Sequence, residues 1–186
     1  MKQSHLLLRI ISEVILLYPY LYRIEPHKKQ YVLHQIVNKD TILCGTIYKE
    51  KQAHWKTLIN TITILSLQDT FPFSSTLCAY NTHDQEIVKI QPKFSLHHLS
   101  FELKINHELF LLQEHKDELL RSVYTCTLND AEIIITSNFK EDYFIHIAAQ
   151  EVATIQASGG HFTIQANIQD ENLLLLIASL YLTITQ

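Results

Sequence analysis

The C-terminal segment 170–186 constrains the fold most, because its middle is apolar on every side. From Leu173 to Leu182 it runs L-L-L-L-I-A-S-L-Y-L, with Ser179 as the clearly polar residue. A helix built from this run has no face that tolerates water, so other elements must surround it. Asp170 is a suitable N-cap, and Glu171 lies where the helix dipole favours an anion. We therefore predict a buried helix over about 171–185.

Two other structures fit this run. A buried strand stays open, because an apolar run alone does not separate the two states. A membrane anchor fits worse, since the run is roughly half of the ~20 residues needed to span a bilayer and no basic cluster follows it. In a helix, the Ser179 hydroxyl should donate to the Leu175 carbonyl one turn back. Leu176→Asp should then be strongly destabilising, because it buries a charge.

Composition indicates one strand-rich domain. Hydrophobic residues make up 47% of the 186 and charged residues only 18%, which leaves many Thr, Gln and Asn. With just 3 Gly and 4 Pro, the turns must use Asn, Asp and His. A net charge of -4 argues against nucleic-acid binding, which depends on phosphate neutralisation by Lys and Arg, although a local basic face is allowed. No transmembrane segment is predicted.

Cys44, Cys78 and Cys126 are an odd number, and each lies in an apolar segment. We expect reduced, packed thiols and a cytoplasmic location, with peripheral attachment to the membrane left open.

The first 18 residues predict an amphipathic helix, because apolar residues between 6 and 17 recur at helical spacing before Pro19. Arg9 and Glu13 interrupt this stretch, so we do not expect an export signal. The helix either packs on the domain or contacts a membrane surface, for which its polar face carries few Lys and Arg.

After Pro26 the pattern changes to short runs of period two separated by polar turn residues, which predicts antiparallel hairpins in series. Three of these hairpins resemble one another, over 80–90, 145–155 and 128–135, so one structural unit is repeated. The predicted strands, about a dozen in all, include 31–37, 41–48, 77–81, 86–91, 100–105, 108–112, 122–128, 132–137, 143–147, 152–156 and 160–168. An insertion over about 50–67 has helical spacing and is predicted to cover one end of the domain.

The hairpins and the C-terminal run together resemble the tubby C-terminal-like superfamily, in particular bacterial members related to LURP-one and phospholipid scramblase proteins. The resemblance covers 20–186 and rests on Y-(x)-D-x-E-I-V-x-I hairpins, Lys93-Phe94, Asn138-Phe139 and the closing E-N-L-L-L-L-I-A-S-L-Y-L. Glycine, usual in the family's turns, is replaced here by other residues: Thr82-His83, Asn129-Asp130 and Ala149-Gln150.

The resemblance implies a mainly β fold, a closed antiparallel barrel of about twelve strands around a buried hydrophobic C-terminal helix. Physical reasoning leads to the same fold, since a dozen strands curl or close and a wide lumen needs filling. The domain is thus predicted over 19–186. The resemblance also implies lipid-headgroup binding for some members, but no motif aligns a binding residue with this chain.

The sequence contains no recognisable catalytic or metal motif, and no cofactor is predicted. His97-His98 would point to opposite faces of a strand, and His107-Glu108 and Glu114-His115 have no helix on which to converge. Gly159-Gly160 indicates a turn rather than a phosphate loop. The paired carboxylates Asp117-Glu118 and Glu141-Asp142 are expected to be solvated.

Basic residues remain as candidates. Lys49, Lys51 and Lys56 cluster beside Trp55, and Lys89, Lys93 and Lys104 are positioned to share one sheet face. They suit either anionic phospholipid headgroups or simple solvation. We predict a non-enzymatic binding module at the membrane face. The alternative is a small-molecule carrier or enzyme that uses a cavity beside the central helix, with Cys78 as the least improbable nucleophile.

Overall fold

Alternation of apolar and polar residues builds twelve strands. The structure, a computed structural model, describes residues 20–50, 75–93, 100–117, 121–128 and 130–185. Its elements are β1 (Tyr20–His27), β2 (Gln30–Val37), β3 (Asp40–Lys49), β4 (Leu77–Asn81), β5 (Glu86–Lys93), β6 (Ser100–Ile105), β7 (Glu108–Lys116), β8 (Ser122–Leu128), β9 (Ala131–Ser137), β10 (Tyr143–Ile147), β11 (Gln150–Ser158), β12 (His161–Ala166) and the helix α1 (Glu171–Ile184).

Each strand pairs antiparallel with its neighbours in sequence, and β12 pairs with β1 to close the barrel. The predicted closed antiparallel barrel is therefore confirmed. β1 was absent from the predicted strands, because Pro26 suggested that regular pairing begins after it. Pro26 instead lies near the end of β1, opposite Tyr31 of β2.

The up-and-down order places alternate connections at opposite ends of the barrel. One end carries the short turns at 38–39, 82–85, 106–107, 129–130 and 148–149, together with the segment 167–170 that leads into α1. We call it the tight-turn end. The other end carries the connections 28–29, 50–76, 94–99, 117–121, 138–142 and 159–160, and we call it the loop end.

The tight turns form with almost no glycine, as the composition predicted. Asn38 and Lys39 have φ of 50° and 78°, and Asn106 and His107 have φ of 50° and 71°. Asn and Asp tolerate this left-handed region better than other residues with a side chain. The turn formed by Ala148 and Ala149 uses φ of 50° and 64° without that help.

The predicted hairpin repeat has a physical counterpart. In the β4–β5 hairpin the pairing skips Ile87, which follows Glu86. In the β10–β11 hairpin it skips Val152, which follows Glu151. These two residues occupy the same position when the hairpins are aligned, so both copies carry the same β-bulge.

The helix α1 lies inside the barrel. All residues from Leu174 to Thr183 are buried, although they occupy every face of the helix. α1 packs most closely on β3, β4 and β5, and Tyr181 contacts side chains of β10 and β12 on another side. A helix of this length extends roughly 20 Å, enough to run from the tight-turn end to the loop end.

Specific contacts fix α1 in the lumen. Asp170 caps it by accepting hydrogen bonds from the backbone N–H groups of Asn172 and Leu173, at 2.8 and 3.2 Å. The Ser179 hydroxyl donates to the Leu175 carbonyl at 2.6 Å, which confirms the predicted bond. Gly45 of β3 allows a close approach, since a Cβ there would lie 2.4 Å from a backbone oxygen and 2.9 Å from the Leu175 side chain.

Two predicted helices, over 1–18 and over about 50–67, lie outside the described residues apart from Glu50. Within the described part of the chain, no helix is long and apolar enough to cross a membrane.

Candidate ligand-binding surface at the loop end

Three exposed lysines lie side by side where β1, β2 and β3 reach the loop end. Lys28 and Lys29 form the β1–β2 turn, and the backbone N–H of Lys49 donates to the Lys29 carbonyl at 3.2 Å. The Lys49 ammonium lies 5.4 Å from the centre of the Tyr31 ring, a cation–π contact. We call Lys28, Lys29 and Lys49 the lysine cluster.

The lysine cluster keeps only one of the four residues that the sequence suggested. Lys51, Trp55 and Lys56 lie outside the described residues. Neither Lys28 nor Lys29 forms an ion pair within the part of the chain that the structure describes.

The second group of lysines suggested by the sequence, Lys89, Lys93 and Lys104, lies on the outer face of β5 and β6. Lys89 lies directly opposite Lys104, and Lys93 follows on the same face of β5. The Lys89 ammonium, however, lies 2.7 Å from a Glu50 carboxylate oxygen. This bond raises the pKa of Lys89 and lowers the pKa of Glu50. One charge of the set is therefore already neutralised.

Phe139 is the most exposed large apolar side chain among the described residues, at 85%. It lies in the β9–β10 connection at the loop end, with the Arg121 guanidinium 5.9 Å from its ring centre. Asn138 shapes this connection, because its side-chain oxygen accepts hydrogen bonds from the backbone N–H groups of Lys140 and Asp142, at 2.8 and 3.0 Å.

Cys78 is poorly suited to nucleophilic catalysis. Its side chain is 2% exposed, and its thiol lies 3.4 Å from a Glu50 carboxylate oxygen. Burial, with a smaller contribution from Glu50, raises the pKa of the Cys78 thiol to about 12. The thiolate, which is the reactive form, is thus disfavoured. Cys44 and Cys126 are also buried and free, and burial raises each pKa to about 11.

The histidine and carboxylate candidates do not converge. His107-Glu108 lies at the tight-turn end of β7, whereas Glu114-His115 lies near the loop end of the same strand. No group of three or more metal-ligating side chains occurs within the described residues. His97-His98 is outside them.

Asp117 differs from the expectation of a merely solvated carboxylate. It accepts hydrogen bonds from the Arg121 backbone N–H at 2.8 Å and from the Arg121 Nε at 2.7 Å. It also forms an ion pair with the same guanidinium at 2.6 Å. Asp142 accepts a hydrogen bond from the Asn138 amide at 2.9 Å. These carboxylates hold connections at the loop end in shape.

A cavity opens at each end of α1. The cavity at the tight-turn end, about 350 Å³, lies beside Leu173 and Leu176 and has Glu108 and Asp170 at its rim. The cavity at the loop end, about 430 Å³, lies beside the last turn of α1. Its described lining consists of Glu141, Tyr143, Ala157, Phe162, Tyr181, Ile184 and Thr185.

Charge is distributed unequally between the two ends. Within two residues of the tight-turn connections lie two lysines, Lys39 and Lys104, and nine exposed carboxylates: Asp40, Asp84, Glu86, Glu108, Asp130, Glu132, Glu151, Asp170 and Glu171. Around the described loop-end connections the balance reverses, with Glu50, Asp117, Glu141 and Asp142 against Lys28, Lys29, Lys49, Lys93, Lys116, Arg121 and Lys140.

Sequence reasoning missed Lys28 and Lys29, and it assigned no lining residue to the cavity that it expected beside the central helix. Lys28-Lys29 is a visible dipeptide, and its proximity to Lys49 follows from the β2–β3 pairing, which sets Gln30 opposite Tyr48. The alternation of hairpins between two ends was a usable signal, because it assigns every second turn to the same end. Comparison of the chain with protein-family models, with curated proteins and with solved structures returns no match.

Proposed function

We propose that this chain is a non-enzymatic, tubby-like binding module that docks on anionic phospholipid headgroups at the cytoplasmic membrane face through its loop end. The observation that carries the proposal is the lysine cluster, three exposed lysines in the β1–β2 turn and at the end of β3. Lysine near an anionic membrane surface contributes about 1 kcal/mol of attraction per residue.

Two further features support this orientation. Phe139 exposes an aromatic ring at the same end as the lysine cluster, and aromatic side chains favour the interface between water and acyl chains. The carboxylates gathered at the tight-turn end would be repelled by an anionic surface. Both effects direct the loop end towards the membrane.

The resemblance in the hairpins and the C-terminal run supports the same proposal, since lipid-headgroup binding is implied for some members of the tubby-like superfamily. The closed barrel around α1 is consistent with that resemblance.

Vesicle flotation tests the proposal. We expect the full chain to float with vesicles that contain phosphatidylserine or phosphatidylglycerol, and binding should weaken as salt screens the charges. Lys28→Glu with Lys29→Glu should weaken binding by at least about 30-fold, from the loss of roughly 1 kcal/mol per lysine.

Lys39→Glu is the matched control, because it removes an exposed lysine from a turn at the opposite end. It should leave flotation unchanged. Phe139→Ala should weaken binding to a smaller extent. Absence of flotation at low salt, or equal loss in Lys39→Glu and the double variant, would contradict docking through the loop end.

A small-molecule carrier is the second candidate function, and the cavities beside α1 favour it. The enzymatic version gains no such support from Cys78, whose thiol is buried and has a raised pKa.

A further inference from the structure

Three aromatic side chains surround the loop-end cavity. Tyr143 of β10 and Phe162 of β12 each pack edge-to-face on Tyr181 of α1, with ring centres 5.2 Å apart in both pairs. The interplanar angles are 77° and 70°, so the rings form walls at nearly right angles. All three residues line the cavity.

Ala157 keeps this space open. It lies on β11 directly opposite Phe162, and it shares the inward face of β11 with the buried residues Ala153 and Ile155. Ala157 is nevertheless exposed, because the cavity opens beside it to solvent. A larger side chain at this position would fill the space between Tyr143 and Phe162.

The charge on the described lining of the cavity is negative, which favours a cation, although the loop end as a whole carries more cations than carboxylates. Glu141 lines it, and the connection that carries Glu141 is shaped by Asn138, whose carbonyl accepts a hydrogen bond from the Glu141 backbone N–H at 3.2 Å. The negative end of the α1 dipole lies at Ile184 and Thr185, and α1 has no basic residue in its last turn.

The carboxylate of Glu141 lies close enough to affect both tyrosines of the cavity. Burial raises the pKa of Tyr181 to about 12, with further contributions from Tyr143 and from Glu141. Burial also raises the pKa of Tyr143, again with a contribution from Glu141.

We propose that the loop-end cavity is a binding site for a quaternary ammonium group, enclosed by Tyr143, Phe162 and Tyr181 and neutralised by Glu141. Methylated ammonium ions are weakly hydrated and bind to the faces of aromatic rings, which is the chemistry of aromatic cages. A volume of about 430 Å³ is ample for a trimethylammonium group and its linker. The site goes beyond the proposed function, because it uses none of the lysine cluster.

Tetramethylammonium and choline are the first probes, and NMR shifts or calorimetry with the full chain report binding. We expect choline to bind saturably and its neutral isostere, 3,3-dimethylbutan-1-ol, to bind at least about tenfold more weakly. Sodium chloride at the same ionic strength controls for screening. Equal affinity for choline and the isostere, or no saturable effect beyond that of sodium, would overturn the proposal.

Variants then locate the site. Glu141→Gln and Phe162→Leu should each weaken choline binding by about five- to tenfold. Ala157→Leu should abolish it by filling the cavity. Glu132→Gln removes an exposed carboxylate at the tight-turn end, and Tyr48→Leu removes a ring that is 40% exposed and lies outside the cavity; both should bind choline as the unchanged chain does. Thermal unfolding verifies that each variant is folded. Unchanged choline binding in folded Ala157→Leu would overturn the assignment.

Two further experiments identify the kind of molecule that carries the quaternary ammonium group. If the group belongs to a lipid, vesicles of phosphatidylcholine alone should recruit the chain. The Ala157→Leu variant should not be recruited. Saturation by free choline without recruitment indicates a soluble ligand, and stronger binding of a trimethyl-lysine peptide than of free choline indicates a modified protein. Each of these results depends on the cavity, whereas anionic vesicles and the Lys28/Lys29 variant test the lysine cluster separately.

Discussion

The two ends of the barrel are built from the same hairpins, yet they differ in turn length and in charge. The tight-turn end closes with short turns and carries an excess of carboxylates, whereas the loop end carries the longer connections and most of the cations among the described residues. A short turn between paired strands has few free backbone groups and few conformations. Long connections leave side chains available for other contacts, which is why binding surfaces so often lie on loops.

The helix α1 links these ends and differs in its surroundings along its length. Its first turn faces a cavity with carboxylates at the rim, and its last turn faces a cavity walled by aromatic rings. The dipole of α1 opposes the charge at both ends: its positive end lies among acids and its negative end lies near cations. This arrangement stabilises the direction in which α1 crosses the lumen.

The largest expected effect is the loss of stability when a buried leucine of α1 is replaced by aspartate, and this loss should be greater in the middle of α1 than near its beginning. Leu180 is fully buried, so Leu180→Asp should destabilise the protein by more than about 4 kcal/mol. Leu176 lines the tight-turn cavity, where water can reach a carboxylate, and Leu176→Asp should cost about 3 kcal/mol. Urea unfolding measures both. Equal and small losses would mean that α1 is not enclosed by the barrel.

The second prediction compares two buried tyrosines under alkaline conditions. Burial raises the pKa of both Tyr22 and Tyr181 to about 12 from an ordinary value of 10.0. The unfolded chain therefore loses these protons first, so stability is complete below pH about 10 and falls as the pH rises towards 12. Each tyrosine should contribute on the order of 2 kcal/mol to the fall.

Phenylalanine variants distinguish the two tyrosines. The Tyr22 hydroxyl donates to the Ile168 carbonyl at 2.8 Å, a buried bond that ties β1 to the segment before α1. Tyr22→Phe should cost about 1 kcal/mol at pH 7, whereas Tyr181→Phe should cost less. In both variants, the free energy of unfolding measured with urea should fall less as the pH rises above about 10. An unchanged pH profile in both would contradict the raised pKa values.

Much of the fold was predictable because it follows from short-range pattern. Every side of the run at 173–182 is apolar apart from Ser179, and period-two alternation marks most of the strands. The Ser179 hydroxyl bond followed from helix geometry alone. The exception was β1, because Tyr20–His27 lies before the point, after Pro26, where we expect the period-two pattern to begin.

The candidate sites were much less predictable, because they depend on contacts between distant parts of the chain. Tyr143, Phe162 and Tyr181 meet only after β12 pairs with β11 and α1 enters the lumen. None of the three carries a local motif. The lysine cluster likewise requires β3 to pair with β2, because the pairing of Gln30 with Tyr48 places Lys29 beside Lys49. Period-two patterns predict such pairings without predicting which side chains share a cavity.

The third prediction exchanges the turn chemistry of the two ends. Ala148 and Ala149 adopt φ of 50° and 64°, a region that favours Asn and Gly. Replacing them with Asn and Gly should stabilise the protein by about 1 kcal/mol. The reciprocal control lies at the loop end, where Gly159 and Gly160 have φ of 54° and 90°.

Alanine at both positions 159 and 160 should destabilise by a similar amount. A Cβ would contact nothing within 4 Å at either position, so the cost is conformational rather than steric. Thermal unfolding measures both exchanges. Opposite signs from those expected would mean that the two turns differ in more than backbone conformation.

The smallest effect concerns the carboxylates of the tight-turn end. Like charges so close together repel one another, and salt screens this repulsion over about 10 Å at 0.1 M ionic strength. Glu132→Lys should therefore stabilise the protein by up to about 0.5 kcal/mol at low salt, with the gain lost at high salt. Lys140→Glu at the loop end is the matched reversal, and it should also stabilise slightly under the same conditions, because it removes a cation from an end where cations repel one another. Urea unfolding at low and high salt measures both changes. If Lys140→Glu instead destabilises the protein at low salt while Glu132→Lys stabilises it, the loop end does not carry a positive electrostatic field. The preference of the loop end for an anionic surface would then lose its physical basis.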